Sequence, residues 1–297
     1  MCLPRATQQV PNPMLLYTSD IHASPSHLFS MLSVAENEKV NCIIVGGDIV
    51  PHEIPGSSAE GPIQAQALYL REVFIPAIRD FKRKRDIVIY LDLGNDDFAY
   101  SRFILEKENG GLIRLLHYSK YELNDRVDII GYMTVPPTPF SIKDWEKPDC
   151  MDRPYASGQR ISERGYISIN GSLEPMLLDL NSDDTIEKDL ERLSERIERP
   201  FIFVSHAPPY DTALDMIYNG LHVGSIAIRR FIEEWSKKGL LIVSFHGHIH
   251  ESPNRTGSIY SKIENSLCIN PGQGNGMASK FRYILFELSG ESLLIDL

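Results

Sequence analysis

Five clusters of polar side chains follow apolar segments of this 297-residue chain, and their residue types are those that bind transition metals. The clusters are Asp20-Ile21-His22, Gly47-Asp48, Gly94-Asn95-Asp96-Asp97, Ser205-His206 and Gly247-His248-Ile249-His250. The first and the last each carry two potential ligands two residues apart, a spacing that points both side chains to one side of an extended chain. Ligand sites in α/β proteins lie beyond the carboxyl ends of strands, so five such loops can converge on one crevice.

The donor types indicate which metals would bind. Imidazole nitrogens with carboxylate and amide oxygens suit Mn²⁺, Fe²⁺, Co²⁺, Ni²⁺ or Zn²⁺ better than Ca²⁺. The candidate ligands are Asp20, His22, Asp48, Asn95, His206, His248 and His250. They are too many for one tetrahedral zinc ion and suit two divalent ions that share one carboxylate, with Mn²⁺ the ion that we favour.

The charge of such a centre predicts its substrate. Two divalent ions bring four positive charges, of which the Asp20 and Asp48 carboxylates neutralise two and a bridging hydroxide a third. The positive charge that remains suits a phosphate oxyanion and lowers the pKa of bound water towards neutrality. The residues therefore predict metal-assisted hydrolysis of a small phosphorylated substrate.

Nine short apolar or β-branched runs predict the strands that carry these clusters. They are residues 14–19, 40–45, 87–92, 127–132, 201–205, 240–245, 267–269, 283–288 and 293–297. Helical patterns occupy residues 24–39, 61–84, 184–199 and 222–238. Strands and helices alternate early and the later strands lie closer together, which predicts an α/β protein with two mixed sheets packed face to face and helices outside.

One segment lacks periodicity. Residues 134–164 are rich in Pro, Asp, Lys and Ser, and a segment of this kind inside a compact domain is typically a lid, a binding loop or disordered. We interpret residues 1–297 as a single domain with 134–164 as an irregular insert and candidate lid. Asn170-Gly171, just beyond the insert, predicts a tight turn of a hairpin.

The net charge and the cysteine content indicate which classes of partner and which cellular compartment to expect. The formal net charge of −10 disfavours nucleic acid as a partner, since proteins that bind phosphate backbones usually carry a basic face. The four cysteines are scattered without a Cys-x-x-Cys pair, which is typical of a reducing compartment. No run approaches the apolar length of a membrane helix, and the N-terminus does not resemble a signal peptide, so we expect a cytoplasmic protein with no membrane partner.

The ordered set Asp-x-His, Gly-Asp, Gly-Asn-[His/Asp], a lone His and Gly-His-x-His resembles the calcineurin-like metallophosphoesterase superfamily. All five blocks occur in order between Asp20 and His250. Four later segments are similar to the small bacterial and archaeal phosphoesterases of that superfamily: residues 205–210, 222–225, 247–252 and 270–272. The resemblance implies a four-layer α/β/β/α sandwich.

The resemblance also implies a division of the ligands between two metals. It places Asp20, His22 and His250 on one ion. It places Asn95, His206 and His248 on the other, with Asp48 bridging the two. A metal-bridging hydroxide would then attack phosphorus.

The chain departs from the family's pattern at the residue after the motif Asn. Many members carry His there, which is thought to help protonate the leaving group, whereas this chain has Asp96. Two nearby cations lower the pKa of a carboxyl, which makes Asp96 a poor general acid, so we expect a preference for good leaving groups such as phosphodiesters or nucleotide anhydrides. His222, in a family-like His-Val-Gly-Ser, is the other candidate catalytic residue, as a substitute acid or phosphate donor.

Two alternative functions exist on the same fold. One is a non-catalytic or weakly catalytic interaction scaffold, as in a subunit of the retromer complex, but the seven ligand positions are intact here. The other is a nuclease, which the acidic charge disfavours. The remaining histidines are predicted to be structural or solvated, with His52, close behind Asp48, able to edge the pocket.

Overall fold

The computed structural model describes residues 13–52, 61–152, 158–274 and 279–295. The strands are β1 (Met14–Thr18), β2 (Cys42–Val45), β3 (Val88–Leu91), β4 (Arg114–Leu115), β5 (Ser119–Glu122), β6 (Asp128–Tyr132), β7 (Arg164–Ile169), β8 (Ser172–Leu177), β9 (Phe201–Ser205), β10 (Leu241–Phe245), β11 (Tyr260–Ile263), β12 (Ser266–Ile269), β13 (Ile284–Ser289) and β14 (Ser292–Ile295). The helices are α1 (Pro25–Asn37), α2 (Pro62–Tyr69), α3 (Ile75–Lys84), α4 (Ala99–Glu106), α5 (Ile186–Ser194), α6 (Ile226–Lys237) and α7 (Ser252–Thr256). A π-helical turn, Leu70–Phe74, joins α2 to α3.

The first sheet has the strand order β14-β13-β1-β2-β3-β4. Strands β1 to β4 run parallel, while β13 and β14 form an antiparallel edge. The carboxyl ends of β1, β2 and β3 therefore meet at one edge, where the first three polar clusters begin.

The second sheet has the order β11-β12-β10-β9-β6-β5. Its four central strands are parallel, and antiparallel strands β5 and β11 close its two edges. The chain leaves β9 and β10 at their carboxyl ends towards the last two polar clusters. A separate hairpin, β7-β8, turns at Asn170-Gly171 as predicted.

The two sheets pack face to face through aromatic side chains. The ring of Phe245 on β10 stacks on Tyr17 of β1 with centroids 4.6 Å apart, and its centroid lies 4.9 Å from that of Phe286 on β13. All three side chains are buried. This contact holds the carboxyl ends of β1 and β10 together at the level of the polar clusters.

Helices form the outer layers. On β9, Ile202 and Val204 belong to the core between the sheets, while Phe201 and Phe203 face a second core formed with α5 and α6. Buried residues of α1, including Met31, pack on the first sheet. The α/β sandwich with two mixed sheets is therefore confirmed.

Most predicted elements are present with small shifts at their ends. Helix α1 begins after Ser24, whose side chain accepts a hydrogen bond from the His27 N–H at 3.3 Å. The helices predicted for residues 184–199 and 222–238 were too long, since α5 begins after the cap Thr185 and α6 after the cap Ser225. Helices α4 and α7 and the short strands β4, β5 and β11 were not predicted.

The irregular segment 134–164 contains isolated bridges but no helix in its described part, and β7 begins at its last residue. Trp145 of this segment is buried and donates its indole N–H to the Asp97 carbonyl at 2.8 Å. Lys143 and Glu146 form a buried ion pair at 2.8 Å. Residues 153–157 lie outside the described residues.

Among the described residues, every helix is too short or too polar to traverse a lipid bilayer.

Candidate metal centre

The loops that carry the candidate ligands turn sharply where they leave the strands. Asp20, His22, Asp48 and His248 all have positive φ angles, 57°, 45°, 51° and 64°. This region is costly for residues with a Cβ, and such conformations cluster at functional sites. Backbone bonds tie the loops together, because the Asp20 N–H donates to the Gly47 carbonyl at 3.0 Å and the His22 N–H to the Asp48 carbonyl at 2.9 Å.

One group of side chains converges tightly. One ligand atom from each of Asp20, His22, Asp48 and His250 lies within 4.8 Å of the other three. His22 Nε2 is 3.2 Å from His250 Nε2 and 3.8 Å from Asp48 Oδ2. His250 Nε2 is in turn 3.2 Å from Asp20 Oδ1.

A second group lies on the other side of Asp48. His206 Nε2 is 3.2 Å from Asp48 Oδ2 and 3.1 Å from Asn95 Oδ1. The His206 and His248 ring centroids are 5.4 Å apart. His206 Nδ1 lies 2.8 Å from the Gly46 carbonyl, which orients the ring with Nε2 towards the site, as the partners of metal-binding histidines do.

These donors fit a metal ion. Asp20 Oδ2 and His22 Nδ1 are buried without a hydrogen-bond partner in the described part of the chain. A buried carboxylate oxygen without a partner is costly, and a cation removes that cost. The donor set of carboxylate, imidazole and amide oxygen also suits first-row transition metals.

Glycines make room for the ligands. A Cβ on Gly94 would overlap Asp48 Oδ1 and lie 2.6 Å from His206 Nε2. A Cβ on Gly247 would overlap Ser19 Oγ and lie 2.5 Å from Asp20 Oδ2. The glycines of the third and fifth clusters therefore serve close packing beneath the site.

The buried charges stabilise one another. Burial opposes the negative charge on Asp20, but His250 lowers the pKa of this carboxyl to about 2. Burial also opposes the positive charge on His206, but Asp48 raises the pKa of this imidazole to about 10. Burial and the neighbouring His206 lower the pKa of His248 to about 3. Because a metal binds the deprotonated imidazole, an ion beside Asp48 would take the place of the proton on His206.

Asp96, the first candidate catalytic residue, lies at the edge of the ligand groups. Its backbone N–H donates to Asp48 Oδ1 at 3.0 Å, and its Oδ1 accepts a hydrogen bond from Asn95 Nδ2 at 2.9 Å. Its Oδ2 is 2.6 Å from His52 Nδ1. His52 lines the same cleft as the ligand candidates, as its place shortly after Asp48 in the sequence had suggested.

His222, the second candidate catalytic residue, is not brought to the ligands. Its Nδ1 lies 2.7 Å from Asp215 Oδ1, and Asp215 also accepts hydrogen bonds from the backbone of Asp211, Thr212 and Gly224. His222 does not line the cleft that contains the ligand candidates. Its position is that of a residue that holds the loop before α6.

Sequence reasoning gave no separate role to Asp97. This buried carboxylate accepts hydrogen bonds from the backbone N–H groups of Ile49 and Val50, both at 3.1 Å, and of Gly94 at 2.9 Å. It thereby joins the Asp48 loop to the Asn95 loop. No local pattern in the sequence could have shown this role, because Asp97 and its partners Ile49 and Val50 come from separate loops.

The cleft above the ligands has a volume of about 540 Å³. Among the described residues, no Lys or Arg lines it, whereas Asp96 and Glu251 do. An adjoining pocket of about 350 Å³ shares Phe140, His248 and Glu251 with the cleft and is mostly apolar.

Comparison with known sequences identifies the family. A sequence model of calcineurin-like phosphoesterases matches residues 14–252. The uncharacterized protein MJ1162 of Methanocaldococcus jannaschii is 31% identical over 142 residues, which cover 46% of this chain and 58% of that protein. The matched part thus spans little more than half the length of this relative.

Solved structures share the fold at low sequence identity. A dimetal phosphatase from Danio rerio superimposes with a TM-score of 0.56 at 10% identity, covering 96% of this chain and 99% of that one. TT1561 of Thermus thermophilus gives a TM-score of 0.54 at 14% identity with the same coverage. The family match extends over most of the chain and includes all five polar clusters, and the protein therefore belongs to the calcineurin-like phosphoesterase family.

Proposed function

We propose that this protein is a phosphodiester hydrolase that uses two divalent metal ions. The observation that carries the proposal is the position of Asp48, whose Oδ2 lies 3.2 Å from His206 Nε2 and 3.8 Å from His22 Nε2. A carboxylate between two groups of potential ligands can bridge two ions, and paired ions stabilise both the attacking and the leaving oxygens of an in-line displacement.

The ligands would divide as the two groups do. Asp20, His22 and His250 would hold one ion, in keeping with the convergence of these three with Asp48. The other ion would be held by Asn95, His206 and His248. When bound, the ions would supply a hydroxide nucleophile near neutral pH and withdraw charge from the phosphoryl oxygens, with Mn²⁺ the ion that we favour.

The charge of the cleft supports a diester rather than a monoester. A diester carries one negative charge and would neutralise the single positive charge left on the loaded centre. A monoester dianion would bring a second negative charge next to Asp96 and Glu251, in a cleft whose described lining contains no Lys or Arg to hold it. Nucleotide anhydrides carry more negative charge still, and although Arg160 lines the adjoining pocket, Glu251 lines the same pocket, so we expect anhydrides to bind less well than a diester.

The adjoining apolar pocket supports a bulky second ester group. Phe140, Ile217 and Tyr218 line it, and it opens beside His248. A phosphoryl group between the metals would direct one ester substituent into this space, where an aromatic or aliphatic group would be removed from water.

We also propose a cytoplasmic location, which the free buried thiols of Cys42, Cys150 and Cys268 support.

The test is metal-dependent hydrolysis of bis-p-nitrophenyl phosphate, with p-nitrophenyl phosphate and ATP as comparisons. We expect Mn²⁺ to support turnover of the diester at a higher kcat/KM than the other two, and EDTA to abolish it. Asp48→Asn should lower kcat/KM by at least about 100-fold, because loss of even an indirect metal contact costs 10- to 100-fold.

Asp183→Asn is the matched control, since Asp183 is an exposed carboxylate that pairs with Lys188 on the surface. It should retain the wild-type rate. Turnover that survives EDTA or Asp48→Asn would contradict the metal mechanism, a faster monoester would contradict the diester preference, and the absence of turnover on every substrate would favour a scaffold.

A further inference from the structure

A histidine that the sequence did not assign to catalysis occupies the edge of the metal cleft. His52 Nδ1 lies 2.6 Å from Asp96 Oδ2, and the His52 side chain is 49% exposed while that of Asp96 is 12% exposed. The two residues are 44 positions apart and come from the loops that follow β2 and β3.

The contact with Asp96 determines which ring nitrogen of His52 can interact with a substrate. An ionised carboxylate only accepts hydrogen bonds, so the His52 Nδ1–H must donate to Asp96. The Nε2 of the ring remains for a substrate. The ring stands edge to face with His22, at a centroid distance of 6.2 Å, and lines the cleft together with His22, Asp48 and His250.

The other candidates for a proton donor are placed less well. His222 is bound to Asp215 and does not line the cleft. His27 lines the cleft but is buried, with its Nε2 2.9 Å from the Ser279 hydroxyl. His52 combines access to the cleft with a carboxylate that orients it.

We propose that His52 is the catalytic acid that protonates the leaving oxygen, and that Asp96 is the residue that positions it. This inference rests on the proposed function. Asp96 occupies the position where many relatives of the family carry a histidine, and in this chain the imidazole would reach the cleft from the neighbouring loop instead.

Proton transfer from His52 accompanies the cleavage of the ester bond. Hydroxide attacks phosphorus, the bond between phosphorus and the leaving oxygen breaks, and the electron pair of that bond passes to the leaving oxygen. The proton on His52 Nε2 passes to this oxygen, which gives a neutral alcohol or phenol and a neutral imidazole. The half-exposed ring then regains a proton from water.

A donated proton changes which substrates are accepted. The expectation of good leaving groups rested on Asp96 being unable to donate a proton. With His52 as the proton donor, the enzyme can also cleave esters whose leaving oxygen is strongly basic. General acid catalysis of this kind raises the rate by about 100- to 10,000-fold. The effect is largest for the most basic leaving oxygen.

The experiment measures kcat/KM of the Mn²⁺-loaded enzyme for a series of methyl aryl phosphodiesters, from p-nitrophenol to unsubstituted phenol as the leaving group. For His52→Ala we expect a loss of at least about 100-fold with phenol and less than about 5-fold with p-nitrophenol, whose anion needs no proton. Added imidazole should restore part of the phenol rate and leave the p-nitrophenol rate unchanged.

Asp96→Asn tests the positioning role. It should give a smaller loss that also grows with the basicity of the leaving oxygen, a dependence that a merely structural role would not produce. His27→Gln is the matched control, because it removes another cleft imidazole, and its effect should be the same across the series. Isothermal titration with Mn²⁺ should give the same stoichiometry for His52→Ala and wild type.

The inference is overturned if His52→Ala loses activity equally with every leaving group, or loses none with phenol. A failure of the proposed function is distinguishable, because the wild-type enzyme would then hydrolyse no member of the series in a metal-dependent way.

Discussion

At the scale of single residues, two buried histidines of this protein have pKa values that are shifted in opposite directions. Burial opposes the charge on His206, yet the Asp48 carboxylate raises its pKa to about 10. Burial lowers the pKa of His246 to about 3, since its ring is surrounded by neutral partners such as the Ser244 hydroxyl and the Ala207 carbonyl. Both rings are fully buried, so the carboxylate beside His206 accounts for the difference between the two pKa values.

His117 should make the metal-free protein sensitive to acid. Burial lowers the pKa of His117 to about 4 from 6.5, and its Nδ1 accepts a hydrogen bond from the Met133 N–H at 3.0 Å, which requires the neutral ring. Because the folded pKa is depressed, the unfolded chain takes up the proton first. The stability that this residue contributes is complete above about pH 6.5 and is lost as the pH falls towards 4.

We expect the loss due to His117 to reach about 1 kcal/mol at pH 5.5. Urea unfolding of the EDTA-treated protein at pH 7.5 and 5.5 measures it. In His117→Asn, whose amide oxygen can accept the same hydrogen bond, the difference in unfolding free energy between the two pH values should shrink by this amount. An unchanged difference would contradict the assignment.

At the scale of elements, the loops after the strands do more than present ligands. The loop after β3 contacts the loop after β2 through Asp97. Helix α2, the π-helical turn and α3 follow the loop after β2 along the chain. Close approach of these loops depends on a residue without a side chain at position 94.

Gly94→Ala should therefore disable the metal centre. The added methyl group would overlap Asp48 Oδ1 and lie 2.6 Å from His206 Nε2, so both ligands would have to move. We expect at least about 100-fold weaker Mn²⁺ binding, because misplaced ligands and their supports cost 10- to 100-fold or more. Isothermal titration measures the affinity.

Gly111→Ala is the matched control for Gly94→Ala. The nearest heavy atom to a Cβ at position 111 is 4.0 Å away, in ordinary van der Waals contact. This variant should bind Mn²⁺ like the wild type. Equal affinities for the two alanine variants would show that the loops can move apart without loss of the site.

At the scale of the whole molecule, the site depends on how the two sheets meet. Three of the polar clusters follow strands of the first sheet and two follow strands of the second. Asp48 Oδ2 and His206 Nε2 are 3.2 Å apart, although the two residues lie on loops that follow strands of different sheets. The core between the sheets is therefore also the support of the metal centre.

Phe245→Ala should destabilise the fold by about 3–5 kcal/mol, the usual cost of removing a buried phenylalanine. Phe245 is fully buried between Tyr17 and Phe286, and the metal-ligand candidates on the following loop depend on its strand. Chemical denaturation of the EDTA-treated protein measures the change. Phe103→Ala, at a residue that is 55% exposed, is the control and should change stability by less than about 1 kcal/mol. Similar losses in both variants would contradict the role of the inter-sheet core.

The central strands and the candidate ligands were predictable from the sequence because their signals are local. Runs such as residues 201–204 are continuously apolar, as strands covered on both faces must be, and polar residues follow them immediately. Strands β5 and β11 were missed because they lie at sheet edges with partly exposed, mixed side chains. Helix α4 was missed because its cap residue, Phe98, has no capping side chain, and the first-turn N–H groups of Ala99 and Tyr100 donate instead to Asp144 and Ser168, which are distant in the sequence.

The amino-acid sequence by itself determined which side chains could bind metal, in what order they occur, and that the fold is an α/β sandwich. Only the tertiary structure decided that His206 would lie against Asp48, that His52 would contact Asp96, and that His222 would bind Asp215 instead of the cleft. Strand patterns record burial and direction, whereas contacts between loops depend on the order of strands in each sheet and on the packing of one sheet against the other. That packing is set by side chains far apart in the chain, such as Tyr17 and Phe245.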